Sequence, residues 1–296
     1  MTDTIKGSLW MVGGVLCLTS MAVAGKEISL QIDTFEILFY RSVIGVSIIL
    51  FFLIKKDQLH EINLKEIRTH LKRNVAHFTG QNLWLYALAS ITLAEVTSLE
   101  FTMPIWIVLF SYFMLDEQMD KFKILSVFIG FIGVLITVRP DIESINLGLI
   151  AAAISAIVFA LTNIYTRRLT RTESTLTILF FLTTMQLIFG FITSFLDGKL
   201  DIPTTENIGW IVVIGFAGLG AHYCITTALS LAPPTVVAPI DLLRLPIVVL
   251  IGVLFYSEQG DMFIYFGAAL IIFANFINLK KANSCLLYTS DAADDW

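Results

Sequence analysis

Apolar residues in this chain come in long runs divided by short polar stretches. Ten such segments can be drawn, at about 7–25, 35–54, 74–91, 94–115, 122–138, 147–165, 175–195, 208–230, 235–256 and 261–279. A run of roughly 20 residues in a helix crosses about 30 Å of hydrocarbon. The pattern therefore predicts an all-α integral membrane protein with ten transmembrane helices. No polar stretch exceeds about 20 residues, far below domain size, so no separate water-soluble domain is expected. The longest connection, 55–73, is charged with both signs. Within it, Asn63–Arg73 reads equally as a short helix lying on the membrane surface or as a solvated loop. The other connections are short, so neighbouring spans should pack antiparallel.

The ten segments are two copies of five. Ala87-Leu88-Ala89 returns as Ala228-Leu229-Ser230, Glu100 as Asp241, Pro104 as Pro246, Glu117 as Glu258 and Ser126 as Gly267. Upstream, Gly7 pairs with Gly148 and Gln81-Asn82 with His222-Tyr223. Glu100 and Asp241 lie 141 residues apart, close to half the chain, which marks a duplicated unit rather than a solenoid. The halves divide at 1–141 and 142–283. An odd number of spans per copy forces the second copy to insert upside down, an inverted repeat of the kind that places a transport site at the interface of the halves.

Composition agrees. Hydrophobic residues make up 56% of the 296 and charged ones only 15%, where a soluble domain carries about 25% charged. The net charge of −5 says little, because the distribution of Lys and Arg over loops is what sets orientation. With the N-terminus inside, fourteen of the 19 basic residues fall on the inner side and three (Lys26, Arg139, Lys199) outside, which predicts both termini in the cytoplasm. Arg41 and Arg244 lie within spans. The first run ends in Met21-Ala22-Val23-Ala24-Gly25, which looks like a signal-peptidase site, but its repeat partner at 148–165 is mid-chain, so it reads as an uncleaved first span. Cys17, Cys224 and Cys285 form no spaced framework. The stretch 284–296 resembles the translation of a sequencing-library adapter and is set aside as a non-native tail.

Chemistry concentrates in spans four and nine. Pro104, Pro239 and Pro246 sit inside them, where proline removes an N–H and frees the carbonyl one turn back: Glu100, Thr235 and Leu242 respectively. Helix breaks at matching places in two halves point to a transport pathway. Glu100 lies six or seven residues into span four from the outer side, and Asp241 a similar distance into span nine from the inner side. Arg244 shares a helix face with Asp241 and either pairs with it structurally or meets a substrate carboxylate or phosphate. Charges at this depth face a cavity by default. His77, Gln81 and Trp84 share one face of span three, and His222, Thr226 and Ser230 one face of span eight. Trp84, Tyr86, Trp106 and Tyr223 are candidates for an aromatic wall. Arg41 reads as snorkelling to the outer surface, Glu95 as interfacial, and Glu117 and Glu258 as helix caps. Gly13-Gly14 and Gly130/Gly133 are faces for close helix contact. The four histidines make no ligand pair, and no nucleophile elbow or phosphate loop is present, so neither an enzyme nor a bound cofactor is expected.

These residues carry a resemblance. Phe39-Tyr40-Arg41, Tyr86-Ala87-Leu88-Ala89, Pro104 through Leu115-Asp116-Glu117, Gly130/Gly133, and in the second copy Ala228-Leu229, Pro246, Glu258 and Gly267 make the chain resemble the drug/metabolite transporter superfamily, in its ten-span EamA form, over about residues 5–281. Ala274 stands where that family often has glycine. The resemblance implies a bacterial inner-membrane carrier of small metabolites, often an exporter of amino acids, working by alternating access through a cavity between spans three, four, eight and nine. It carries no substrate over.

The reading that results is a secondary transporter for a small polar or zwitterionic metabolite such as an amino acid or derivative. Its site is expected to comprise Gln81, Asn82, Trp84, Glu100, His222, Tyr223, Asp241 and Arg244, with Glu100 and the Asp241/Arg244 pair at opposite mouths of one cavity and a coupling proton on either acid. The rivals are an exchanger for S-adenosylmethionine or a nucleotide-type cofactor, a membrane enzyme or lipid scramblase, and a structural scaffold. Expected partners are the substrate and the bilayer, with no nucleic acid, in a monomer or homodimer.

Overall fold

The computed structural model describes residues 2–115, 121–138, 146–195, 202–257 and 262–277, the last range without 264, 271 and 275. All regular structure among them is helical. The long helices are α1 (Asp3–Ile28), α2 (Thr34–Lys55), α3 (Ile67–Ser90), α6 (Lys121–Val138), α7 (Leu147–Leu169), α8 (Thr175–Ser194) and α9 (Ile208–Leu231). Six stretches are long and apolar enough to cross a membrane by length and composition, among them Glu95–Met114. A shorter apolar helix covers Tyr265–Ala274. Glu117, Glu258, Arg139, Lys199 and the 284–296 tail lie outside the described residues.

Local sequence sets the helix starts. The first turn of each helix leaves N–H groups with no partner one turn back, and short polar side chains supply one. Thr2 caps α1, Asp33 caps α2, Asn146 caps α7 and Ser174 caps α8, each accepting from an N–H in the following turn. Thr92 and Glu95 form a reciprocal capping box. Glu95 therefore has a structural task. The stretch Asn63–Arg73 makes no separate surface helix: a 3₁₀ turn at Leu59–Glu61 is followed by irregular backbone, and Ile67 begins α3 itself. His70 and Arg73, which the sequence pattern assigns to the charged connection, are buried.

The two segments that the sequence pattern reads as spans four and nine are both broken. Span four is α4 (Leu93–Glu100), two turn residues, then α5 (Met103–Met114). Pro104 lies in the first turn of α5, where its missing N–H costs nothing. Thr102 repairs the joint: its hydroxyl donates to the Leu99 carbonyl at 2.8 Å, and its carbonyl accepts from Ile105 and Trp106. Span nine is α10 (Pro234–Val237), a 3₁₀ stretch Ala238–Leu243 that contains Pro239 and Asp241, then α11 (Arg244–Phe255) with Pro246 in its first turn. The chain thus restarts its helix at each proline instead of kinking through it.

Packing follows the duplication. α1 lies on α9, α3 on α7 and α2 on α8, while α4 meets α11 and α5 meets α10. Exchanging the halves turns α1–α9 into α7–α3 and leaves α2–α8 as itself. Small residues permit the close approaches: a Cβ on Gly13 would stand 3.3 Å from Cys224 Sγ, and one on Gly220 3.1 Å from Cys17 Sγ. The outward faces carry Leu9, Leu16, Phe51, Phe113, Phe128 and Phe255, each more than half exposed, as a lipid-facing surface requires.

Candidate functional site

The two broken helices meet at one cation. Arg244 Nη2 donates to Glu100 Oε1 at 2.8 Å and to Asp241 Oδ2 at 2.9 Å, with all three side chains at most 8% exposed. Trp84 Nε1–H donates to the other Glu100 oxygen at 3.1 Å, and the guanidinium lies 5.5 Å from the Phe101 ring centroid. Glu100 and Asp241 therefore do not stand at opposite mouths. Arg244 is three residues beyond Asp241, about 5 Å along the axis, and so reaches across to the acid of the other half. Arg244 pairs with both acids, and two carboxylates share one base.

Glu100 and Asp241 face a cavity of about 760 Å³, its open side included, which is lined also by Arg73, His77, Gln81, Trp84, Phe159, His222 and Thr226, and by Met11, Met21 and Met103. Gln81, Trp84, Glu100, His222 and Asp241 thus come together as expected. Arg244 sits behind the two acids and is not part of the lining. Asn82 and Tyr223 are not brought in. Each follows a lining residue, so it is turned about 100° around its helix. Asn82 accepts from Thr34 Oγ1 at 2.9 Å and donates to the Phe78 carbonyl, and Tyr223 packs edge-on against Trp10. Of the four proposed wall aromatics only Trp84 lines the cavity: Tyr86 is 43% exposed and Trp106 stacks on Phe110. Phe159 supplies the second ring. Ser230 is exposed at the end of α9.

Three features went unread in the sequence. Arg41 does not snorkel. It is 6% exposed and donates to Gln81 Oε1, and it also borders a smaller pocket next to His222. Arg73 lines the main cavity, held by Thr166 Oγ1 at 3.1 Å and Asn74 Oδ1 at 2.9 Å. The signal was present: extending the face of His77, Gln81 and Trp84 back one turn reaches Arg73. His77 and His222, one from each half, face each other with ring centroids 4.6 Å apart.

Near Arg73, His70 Nε2 and Glu173 Oε2 lie 2.6 Å apart, with side chains 0% and 4% exposed, and His70 stacks on Phe181. Glu173 sits between α7 and α8. Burial, with Glu66 adding to it, pushes its carboxyl from the ordinary 4.5 up to about 7. The folded protein therefore holds this proton more tightly than the unfolded chain, so the contribution of Glu173 to stability falls as pH rises from about 4.5 through about 7 and then levels. Glu173→Gln keeps a donor for His70 and removes the titration. Its thermal midpoint, followed by circular dichroism in detergent, should fall less across that window than that of the wild type. Parallel curves for the two proteins would contradict the assignment.

A membrane-embedded helical protein with ionisable side chains buried around a cavity belongs to the class of small-solute carriers. The chain belongs to the EamA-like transporter family, whose model matches residues 5–139 and 146–279. It is 28% identical over 249 residues to a riboflavin transporter of Brucella anthropi, covering 83% of this chain and 87% of that one. It is 23% identical to an S-adenosylmethionine uptake transporter of Rickettsia bellii, covering 96% and 99%. It is 29% identical to an uncharacterized transporter of Helicobacter pylori, covering 87% and 89%. A solved crystal structure aligns with a TM-score of 0.73 at 17% identity over 95% of this chain and 98% of that chain, which speaks for the fold. The protein is a multi-pass transporter of a small metabolite. Among the described residues, no group of three His, Cys, Asp or Glu side chains is placed to hold a metal ion.

Proposed function

We propose that the chain is a secondary transporter of a small polar metabolite, an amino acid or a derivative of one, moving it by alternating access through the cavity between two inverted five-span halves. The observation that carries this reading is the Glu100–Arg244–Asp241 cluster, which ties a break in one half to a break in the other at the wall of a cavity. Charged side chains at such depth are costly and are found where solute or ions pass. The exchange of packing pairs between the halves supports ten spans in inverted repeat. The inner-side excess of Lys and Arg supports a plasma-membrane protein with both termini in the cytoplasm. A second reading, a carrier of a larger cofactor, draws on the relatives named for riboflavin and S-adenosylmethionine.

Two carboxylates on one guanidinium leave a surplus negative charge, and that surplus is where a coupling proton would ride. The test is uptake into proteoliposomes of labelled amino acids, S-adenosylmethionine and riboflavin, with and without a pH gradient. We expect saturable flux for one class and a dependence on the gradient. Flux equal to that of empty liposomes for every solute would refute the transporter reading, and flux indifferent to the gradient would remove the proton.

A further inference from the structure

The cavity carries its charges at two ends. One end is the Glu100–Arg244–Asp241 cluster, which sets two acids against one base and leaves Asp241 Oδ1 buried without a partner among the described residues. The other end is Arg73, 1% exposed, with no carboxylate against it among the described residues. Its fork has five N–H groups, of which Thr166 and Asn74 take two, and the side chain borders the cavity. One helical turn on, His77 is 2% exposed and neither ring nitrogen has a hydrogen-bond partner among the described residues, and His222 Nε2 across from it is likewise buried and without one. Buried polar groups are nearly always satisfied, and an unneutralised buried guanidinium is costlier still. Arg73 and the two histidines all line the same cavity, so what they lack is something the cavity holds.

What fits them is an anion with several acceptor lone pairs. Arg73 offers a positive charge and a planar fork, which matches a carboxylate, and the opposite end sets two acids against one base, which matches a cationic centre. The ends are not adjacent. Arg73 and Trp84, whose indole holds Glu100, are eleven residues apart on α3, which is about 16 Å along the axis. Allowing for side chains that reach toward each other, the space is longer than one α-amino acid, whose two charged groups are bonded to the same carbon.

Building on the transporter reading, we infer that Arg73, with His77 and His222, is the carboxylate end of the substrate site. The cargo is then an elongated metabolite with an amino-acid-like end at Arg73 and a cationic or ring-bearing end against Trp84, Glu100 and Asp241. Gln81 stands between them. Its carbonyl accepts from Arg41, which leaves its NH₂ free to donate to the cargo. The role expected of Arg244, meeting a substrate anion, passes to Arg73 because Arg244 is occupied by two acids.

The test is competition in wild-type proteoliposomes against whichever labelled solute of the panel above is carried. Unlabelled S-adenosylmethionine is set against its decarboxylated form, L-methionine against L-methioninamide, and riboflavin stands as the carboxylate-free control. The expected result is that the carboxylate compound competes about tenfold or more better than its partner, and that S-adenosylmethionine exceeds methionine. Arg73→Gln should erase the carboxylate preference and Arg73→Lys should keep part of it. Equal competition by acid and amide, or riboflavin as the preferred solute, overturns this inference and leaves the transporter standing. Flux of no solute at all overturns the transporter reading and this inference with it. The acid–amide comparison uses wild-type protein, so its outcome does not depend on the variants folding.

Discussion

Arg244→Ala should lower the stability of the protein by about 3–5 kcal/mol, the usual cost of removing one partner from a buried ion pair, and should abolish flux. Glu100 and Asp241 would then face one another at low dielectric with no cation between them, and Trp84 Nε1–H would be the one remaining donor to either that the structure shows. Spans four and nine would separate at their breaks. Thermal unfolding in detergent and uptake in proteoliposomes read the two effects. A second variant separates them. Glu100→Gln, Asp241→Asn and Arg244→Met together leave no buried charge at the joint. Neutral replacement of a whole buried cluster often restores or raises stability, so this protein should fold and still fail to transport. A wild-type midpoint in Arg244→Ala contradicts the packing argument, and wild-type flux in the triple variant makes the cluster a scaffold.

Gly80→Ala should cost about 1–3 kcal/mol, as overfilling a packed interface does. An added Cβ would lie 2.7 Å from Phe159 Cε1 and 2.9 Å from both Phe159 Cδ1 and Val158 Cγ2, so α3 and α7 must part or the Phe159 ring must turn. Phe159 lines the cavity beside His77, with ring centroids 5.9 Å apart. The change should therefore raise KM for the transported solute as well as lower the unfolding midpoint. Adding both Phe159→Leu and Val158→Ala to Gly80→Ala relieves the close contacts on both sides of the Cβ and should recover part of the stability while leaving the KM defect. A midpoint and KM both unchanged in Gly80→Ala would mean that the interface has slack.

The reasons some of this could be read from sequence, and some not, are physical. A bilayer makes every charge and every proline in a span expensive, so Glu100, Asp241, Pro104 and Pro239 stand out against an apolar background. A helix face is periodic, so Gln81 and Trp84 could be placed together. Periodicity says nothing about which face turns inward, and Asn82 and Tyr223, each one residue from a lining group, turn away from the cavity they were expected to line. Depth is misjudged where helices are irregular. The 3₁₀ stretch around Asp241 rises about 2.0 Å per residue against 1.5 Å in an α-helix, and counting residues from each surface puts the two acids at separate mouths when one arginine joins them. Arg73 and His70 are lost to a boundary error. They follow a charged loop, and the face of His77, Gln81 and Trp84 reaches Arg73 only once the helix is known to begin at Ile67 and not at the end of the charged run.

The ring of phenylalanine and leucine side chains on the outside has a practical bearing on all of these measurements. In a cell that surface is wetted by acyl chains. In a tube it must be wetted by detergent, nanodisc or added lipid, because apolar area of this extent in plain buffer drives molecules together. Turbidity in a heated sample then records the moment the amphiphile coat fails, which need not be the moment the Glu100–Arg244–Asp241 joint opens. Midpoints of variants are comparable only at one amphiphile concentration, read by a signal from the backbone and not by scattering.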